Sequence, residues 1–181
     1  MNIKITKKTN AFTVVKDKNI FDIINSRIEA ANNGSTVLVP HVCNNVNAFG
    51  AGFAGQVAEI YPEVKANFHL LGKNAKLGQS QFVAVKTDKL YKHQIIFANM
   101  IAQNSLISSQ NTRPLNYGAL VYAMFDVRSY VKKLEQKLET TKIEIHAPKF
   151  GSGLAGGNWN FVSNLIEDIW YDIPVYIYIY K

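Results

Sequence analysis

Cysteine is almost absent from the sequence, since Cys43 is the single one among 181 residues. One cysteine excludes an intrachain disulfide framework and any metal site built from several thiolates. No run of apolar residues reaches the roughly 20 that a membrane helix needs. Residues 1–10 also lack the apolar core that a signal peptide carries. We therefore expect a cytoplasmic protein (in the host cytoplasm if the gene is viral) with no membrane segment.

Arginine is also scarce and occurs only as Arg27, Arg113 and Arg128. The 20 basic and 13 acidic residues give a formal net charge of +7, which favours anionic partners such as nucleic acid, an anionic membrane or a small anion. Because the lysines are scattered and arginine is the usual reader of bases, the pattern argues against nucleic-acid recognition. Frequent Lys, Asn and Ile beside little Arg is typical of an AT-rich genome, such as that of a phage.

Strand and helix patterns alternate along the chain, of which 48% is hydrophobic and 18% charged, so bulk disorder is excluded. Apolar runs predict strands over residues 11–16, 35–41, 82–86, 94–101, 142–148 and 175–180. Apolar residues at helical spacing predict helices over residues 21–31, 52–68, 115–138 and 158–170, with a kink or break at Pro62. The alternating Tyr176, Tyr178 and Tyr180 fit one face of an edge strand.

No repeat or linker interrupts this order, so residues 1–181 are predicted to form one domain. Strands separated by helices indicate a three-layer α/β/α sandwich around a mixed, largely parallel sheet. Ligands of such sandwiches bind beyond the carboxyl ends of the strands. No apolar stripe is left over for a partner, and we expect a monomer.

Two glycine-rich segments fall at that edge, residues 43–55 after one predicted strand and residues 150–159 after another. Each leads into the start of a predicted helix. Glycines at such a place let backbone N–H groups approach a phosphate, and the helix dipole favours the anion. One such loop is explained by turn chemistry alone, whereas two in equivalent positions favour a ligand of the size of a diphosphate.

The segment Gly50–Gly55 matches the G-x-G-x-x-G fingerprint of dinucleotide folds. That fingerprint requires the glycines directly after the strand and an acidic residue about 20 positions later. Here residues 42–49 intervene, and residues 70–76 contain neither Asp nor Glu. A nicotinamide-dependent dehydrogenase is therefore disfavoured.

The two loops together resemble those of macrodomains. HVCNNVNAFGAGFA (residues 41–54) is similar to their first ligand loop, and PKFGSGLAGGNW (residues 148–159) to their second. Leu115-Asn116-Tyr117 also resembles a helix start found in the branch that contains the yeast-type ADP-ribose 1″-phosphate phosphatase. The resemblance covers nearly the whole chain and implies the sandwich fold.

The resemblance implies that the chain binds ADP-ribose and removes the terminal phosphate of ADP-ribose 1″-phosphate without a metal or other cofactor. The main alternative is a non-catalytic reader of ADP-ribose or of ADP-ribosylated partners. By position, the first loop implies contacts to the distal ribose and one phosphate from Asn44, Asn47, Gly50, Ala51, Gly52, Phe53 and Ala54. The second implies contacts to the diphosphate from Gly151, Ser152, Gly153, Leu154, Ala155 and Gly156. Asn19 and Ile20 stand where many members hold adenine with an acidic residue.

The catalytic residues are less clearly marked. A Cys-x5-Arg phosphatase is excluded because Phe49 stands at the arginine position, and Cys43 fits a small buried hydrophobe. Gln103 and Ala155 align with the lysine and aspartate of related enzymes that release ADP-ribose from glutamate, so that activity is not expected. His41 is the candidate for moving a proton, or else a buried histidine bonded to a backbone carbonyl. Asn44 is the candidate for orienting substrate, or else an amide that caps its loop.

Overall fold

The centre of the fold is a six-stranded sheet. The computed structural model describes residues 12–30, 35–87, 93–138 and 142–179. In chain order the strands are β1 (Thr13–Lys16), β2 (Ser35–Asn44), β3 (Ser80–Thr87), β4 (His93–Gln103), β5 (Lys142–Pro148) and β6 (Val175–Ile179). They lie in the order β1-β6-β5-β2-β4-β3, and every neighbouring pair is parallel except β3 with β4. The predicted mixed, largely parallel sheet is confirmed.

Helices cover both faces of this sheet. They are α1 (Ile20–Ala30), α2 (Gly52–Ile60), α3 (Pro62–Leu71), α4 (Tyr117–Lys137) and α5 (Trp159–Ile169), with a short 3-10 turn at Gly72–Asn74. One apolar core lies under α1, α2 and α3, and a second lies under α4 and α5. This is the predicted three-layer sandwich. None of the described helices is both long and apolar enough to cross a membrane.

The predicted elements agree with the observed ones apart from their ends and one position in the sheet. The predicted helix over 52–68 is broken at Tyr61, because Pro62 begins a new helix as its first residue. The first central strand continues past His41 to Asn44. The prediction of an edge strand for Tyr176, Tyr178 and Tyr180 is wrong, because β6 lies between β1 and β5. Some predicted positions lie outside the described residues. They are residues 1–11, which include the start of the first predicted strand, residue 31 at the end of the first predicted helix, and residue 180 at the end of the last predicted strand.

Strand β2 is buried along nearly its whole length. Its residues from Ser35 to His41 are all buried, as expected for a strand covered on both faces. Val37 and Val39 belong to the core under α1–α3, while Leu38 belongs to the core under α4 and α5. Because β2 pairs with β5 on one side and β4 on the other, its carboxyl end lies in the middle of the sheet edge.

A buried polar cluster joins β5, β6 and α1. The Glu144 carboxylate, with its side chain only 2% exposed, lies 3.1 Å from an Arg27 guanidinium nitrogen. His146 lies 3.2 Å from the same carboxylate through Nε2 and 2.7 Å from the Tyr178 hydroxyl through Nδ1. Burial lowers the pKa of His146 and raises that of Tyr178 to about 12, so both are neutral at pH 7. Arg27 therefore supplies a positive charge in direct contact with this buried carboxylate.

We expect Arg27→Gln to lower the free energy of unfolding by about 2 kcal/mol, because Glu144 loses its contact with the Arg27 charge while staying buried. The matched control is Lys86→Gln, which breaks the exposed pair of Lys86 with Glu29. Exposed pairs contribute at most about 1 kcal/mol, so this control should change stability by less than 0.5 kcal/mol, roughly. Urea titration measures both, and an equal effect of the two variants would contradict the assigned burial.

Candidate functional site

A cleft of about 690 Å³ opens at the carboxyl edge of the sheet. Its walls come from the ends of β2, β4 and β5, three neighbouring strands, and from the segments that follow them. The lining residues are His41–Asn44, Ala48–Ala54, Gln103, Leu106, Ile107, Pro148–Gly151 and Gly153–Ala155. Among these described residues Lys149 carries the charge, and the remaining lining is neutral when His41 is unprotonated.

Asn44 folds the first loop onto the end of β2. Its side-chain carbonyl accepts hydrogen bonds from the backbone N–H groups of Val46 and Ala48, both at 3.1 Å. Its amide nitrogen donates to the carbonyl of Ala48 at 2.6 Å. Both lone pairs of the oxygen and one of the two N–H bonds are thereby used. The loop-capping role is thus observed, and the second N–H makes no hydrogen bond within the described residues.

The N-terminus of α2 opens onto the cleft without a side-chain cap. Ala51 occupies the capping position and makes no side-chain hydrogen bond, and the first turn contains no acidic residue. The first N–H groups of a helix have no partner within it. The residues that carry them, Gly52, Phe53 and Ala54, all line the cleft. This end of α2 therefore offers backbone donors and the positive end of a helix dipole to an anion.

The second loop faces the first across the cleft. Gly52 has the left-handed φ of +56°, and a methyl group built on it would lie 3.5 Å from Leu154 Cδ1. A methyl on Gly157 would meet Leu115 at 2.3 Å and the Gly151 carbonyl oxygen at 2.5 Å, so this loop is folded tightly on itself. The second loop therefore reaches the first through the Leu154 side chain, which lies beside Gly52.

The start of α5 differs from that of α2. The Asn158 side chain accepts from the N–H groups of Asn160 and Phe161, which leaves this helix end capped. The start of α5 thus offers fewer open backbone donors than the start of α2. The contribution of the second loop to the cleft comes from the loop itself, from Gly151 to Ala155 with Lys149 at its base. The Lys149 ammonium lies 5.4 Å from the centre of the Trp159 ring.

His41 stands in a chain of buried hydrogen bonds under the first loop. Its Nε2 lies 2.7 Å from Oδ1 of Asn99, whose amide donates to Gln81 at 2.9 Å. The Gln81 amide in turn donates to the Asn67 carbonyl on α3. Because Asn99 Oδ1 is an acceptor, Nε2 of His41 carries the proton and Nδ1 is free to accept. That Nδ1 lies 3.7 Å from Cys43 Sγ.

Burial makes both titratable groups of this chain neutral. It lowers the pKa of His41 from 6.5 to about 4, against the opposing hydrogen bond to Asn99, and it raises the pKa of the Cys43 thiol. Cys43 is thus a buried thiol, as expected, and not an activated nucleophile. His41 is bonded to a side-chain amide rather than to a backbone carbonyl. Its role in moving a proton stays a prediction.

Several predicted contact residues lie outside the cleft lining. Asn19 caps α1 by accepting from the N–H of Phe21, and Ile20 is buried in the core. The Asn47 side chain lies 3.1 Å from His69 on α3. The others are Ser152 and Gly156. The substrate contacts of these residues stay predictions.

The cleft also contains residues that the sequence analysis did not assign to it. Gln103 ends β4, and Leu106 and Ile107 lie on the loop that follows. The position of this loop could have indicated it, because the loop starts at the carboxyl end of the predicted strand 94–101, which pairs with β2. The sequence analysis did not assign it because the segment contains no glycine cluster. Within the described ranges, no group of three His, Cys, Asp or Glu side chains could hold a metal ion.

The lowered pKa of His41 predicts that stability falls as the pH drops from about 6.5 to about 4. In that interval the unfolded chain binds a proton that the folded chain does not, which amounts to about 3 kcal/mol at most. Urea titrations at several pH values should show a weaker dependence for His41→Gln, which cannot take up this proton. Parallel curves for the two proteins between pH 7 and 4 would refute this explanation.

No model of a known protein family matches the sequence. A curated relative is the uncharacterized 17.5 kDa protein of the tk-vs intergenic region of Enterobacteria phage T4. It is 26% identical over 132 residues, which cover 71% of this chain and 77% of the relative. A phage relative agrees with the composition of the chain.

Solved structures of similar fold include macrodomains. A protein of unknown function from Bacteroides thetaiotaomicron superposes with a TM-score of 0.68 at 23% identity, over 93% of this chain and 99% of its own. A macrodomain protein from Streptomyces coelicolor superposes with a TM-score of 0.62 at 26% identity, over 93% of this chain and 99% of its own. Thermosipho africanus DarTG, solved in complex with ADP-ribose, superposes with a TM-score of 0.63 at 18% identity, over 97% of this chain and 43% of its own. The chain has the α/β fold of macrodomains.

Proposed function

We propose that the chain binds ADP-ribose in the cleft at the carboxyl edge of its sheet. The observation that carries the proposal is the open N-terminus of α2, which faces the glycine-rich second loop across the cleft. Backbone donors on both sides suit a diphosphate, which needs several hydrogen bonds and a positive field. The volume, about 690 Å³, lies within the ordinary range for small-molecule sites. The Thermosipho structure with ADP-ribose adds support.

In this proposal the diphosphate lies between Gly52–Ala54 and Gly151–Ala155, with Lys149 as its nearest cation in the lining. The distal ribose extends toward the end of β4, beside Asn44 and Gln103. Adenine extends the other way, toward the ends of β6 and β1. Asn19 and Ile20 follow β1 and remain the candidate adenine contacts at that side.

We expect calorimetry to show micromolar binding of ADP-ribose, about −8 kcal/mol at 1 μM. AMP, which lacks the second phosphate and the distal ribose, should bind far more weakly. Absence of heat and of thermal stabilisation at millimolar ADP-ribose would overturn the proposal.

We expect Gly153→Glu to weaken ADP-ribose binding by at least about tenfold, because it sets a carboxylate beside the bound diphosphate. A methyl group on Gly153 would meet nothing within 4 Å, so the fold should accept the change. The matched control is Asn164→Glu, which adds the same charge at an exposed position of α5 outside the cleft lining. Calorimetry should show little change for this control. An equal loss in both variants would point to net charge rather than to the cleft.

A second candidate function is hydrolysis of ADP-ribose 1″-phosphate, which the resemblance of residues 41–54 favours. Water would attack the phosphorus, and the bond from phosphorus to the 1″ oxygen would break to give ADP-ribose and phosphate. His41 is the residue proposed to take the proton from water, through its Nδ1 atom. The Cys43 thiol, a weak donor, lies beside that atom. Asn44 would orient the substrate with its remaining N–H.

The geometry favours binding over hydrolysis for two reasons. The described lining of the cleft contains no carboxylate, and its one histidine, His41, has a pKa of about 4 and is a weak base. We therefore expect ADP-ribose binding without phosphate release from ADP-ribose 1″-phosphate, measured with a colorimetric phosphate assay. Phosphate release by the wild-type protein would instead establish the phosphatase, provided that His41→Gln abolishes the release and still binds ADP-ribose.

A further inference from the structure

An apolar wall closes the β4 end of the cleft. Leu106 and Ile107 line the cleft, yet their exposed fractions are 45% and 48%. Single exposed apolar side chains are ordinary on protein surfaces. Two neighbours that both face a ligand cleft are a different case, because a ligand that covers them gains from their burial.

Hydrogen bonds hold this wall in place before any ligand binds. The Asn111 amide donates to the carbonyls of Asn104 and Leu106. The Asn45 side chain donates to Asn104 and accepts from the N–H of Ser105, which ties the loop to the first glycine loop. The wall is thus preorganised, and little ordering entropy opposes its use in binding.

The positive charge of Lys149 lies at the β5 end of the cleft, away from the apolar wall. Lys149 follows β5, whereas the apolar wall follows β4, and β2 runs between these two strands. Strands are spaced about 4.8 Å apart, so the ends of β5 and β4 are separated by about 10 Å. Within the described lining, the β4 end has polar neutral and apolar groups, with no cation.

We infer that the β4 end of the cleft receives a neutral, apolar group attached to C1″ of the distal ribose. The inference rests on the proposed ADP-ribose binding and on the orientation given there, and it names the class of ligand. A neutral group buries Leu106 and Ile107 on binding. A 1″-phosphate in that place would lose hydration beside apolar side chains, and the described lining offers it no cation at this end of the cleft.

The test compares three ligands by calorimetry: ADP-ribose, its 1″-O-benzyl derivative and ADP-ribose 1″-phosphate. We expect the benzyl derivative to bind at least about fivefold more tightly than ADP-ribose, because the ring covers the wall. ADP-ribose 1″-phosphate should bind no more tightly than ADP-ribose. The double variant Leu106→Ser with Ile107→Ser should lose the benzyl advantage, so that it binds the benzyl derivative and ADP-ribose equally within about twofold.

Both side chains are half-exposed, so the double variant should fold, and Leu70→Ser, at a position 81% exposed on α3, is the matched control. The inference is overturned if the benzyl derivative binds no better than ADP-ribose or if the 1″-phosphate binds best. It is also overturned if the double variant keeps the preference for the benzyl derivative, since the ring would then contact other residues. Failure of all three ligands to bind would instead overturn the proposed function.

Discussion

The exit of β2 from the sheet is the constraint on which the cleft depends. Asn44, the last residue of that strand, bonds three backbone groups of the loop that follows. Three residues earlier, His41 is fixed by Asn99 of β4, which is itself bonded to Gln81 of β3. Residues from three adjacent strands thus set where the loop begins, and the loop sets where the open end of α2 points.

This arrangement explains why so many polar residues lie under an apolar cleft. A buried amide or imidazole is costly when it lacks partners, and a satisfied chain of them is rigid. His41, Asn99 and Gln81 satisfy one another and leave their nearby aromatic neighbours, such as Phe49 and Phe97, to fill the space. Rigidity under the loop favours binding, because backbone donors that are already placed need no reorganisation when an anion arrives.

The sequence predicted what depends on local pattern. Buried runs such as residues 142–148 identified the strands, and Pro62 identified the break between α2 and α3. The order of strands depends on long-range pairing, which is why β6 was wrongly expected at an edge. The glycine loops were found because glycine is conspicuous. Leu106 was missed because nothing local distinguishes an apolar residue that faces a cleft from one that packs in a loop.

The central claim is that a diphosphate lies between the open end of α2 and the second glycine loop. A crystal structure of the protein with ADP-ribose tests it most directly. The claim predicts phosphate oxygens at hydrogen-bond distance, about 2.7–3.2 Å, from backbone nitrogens among residues 52–54 and 151–155. Density for the diphosphate elsewhere, with these backbone groups bonded only to water, would contradict it.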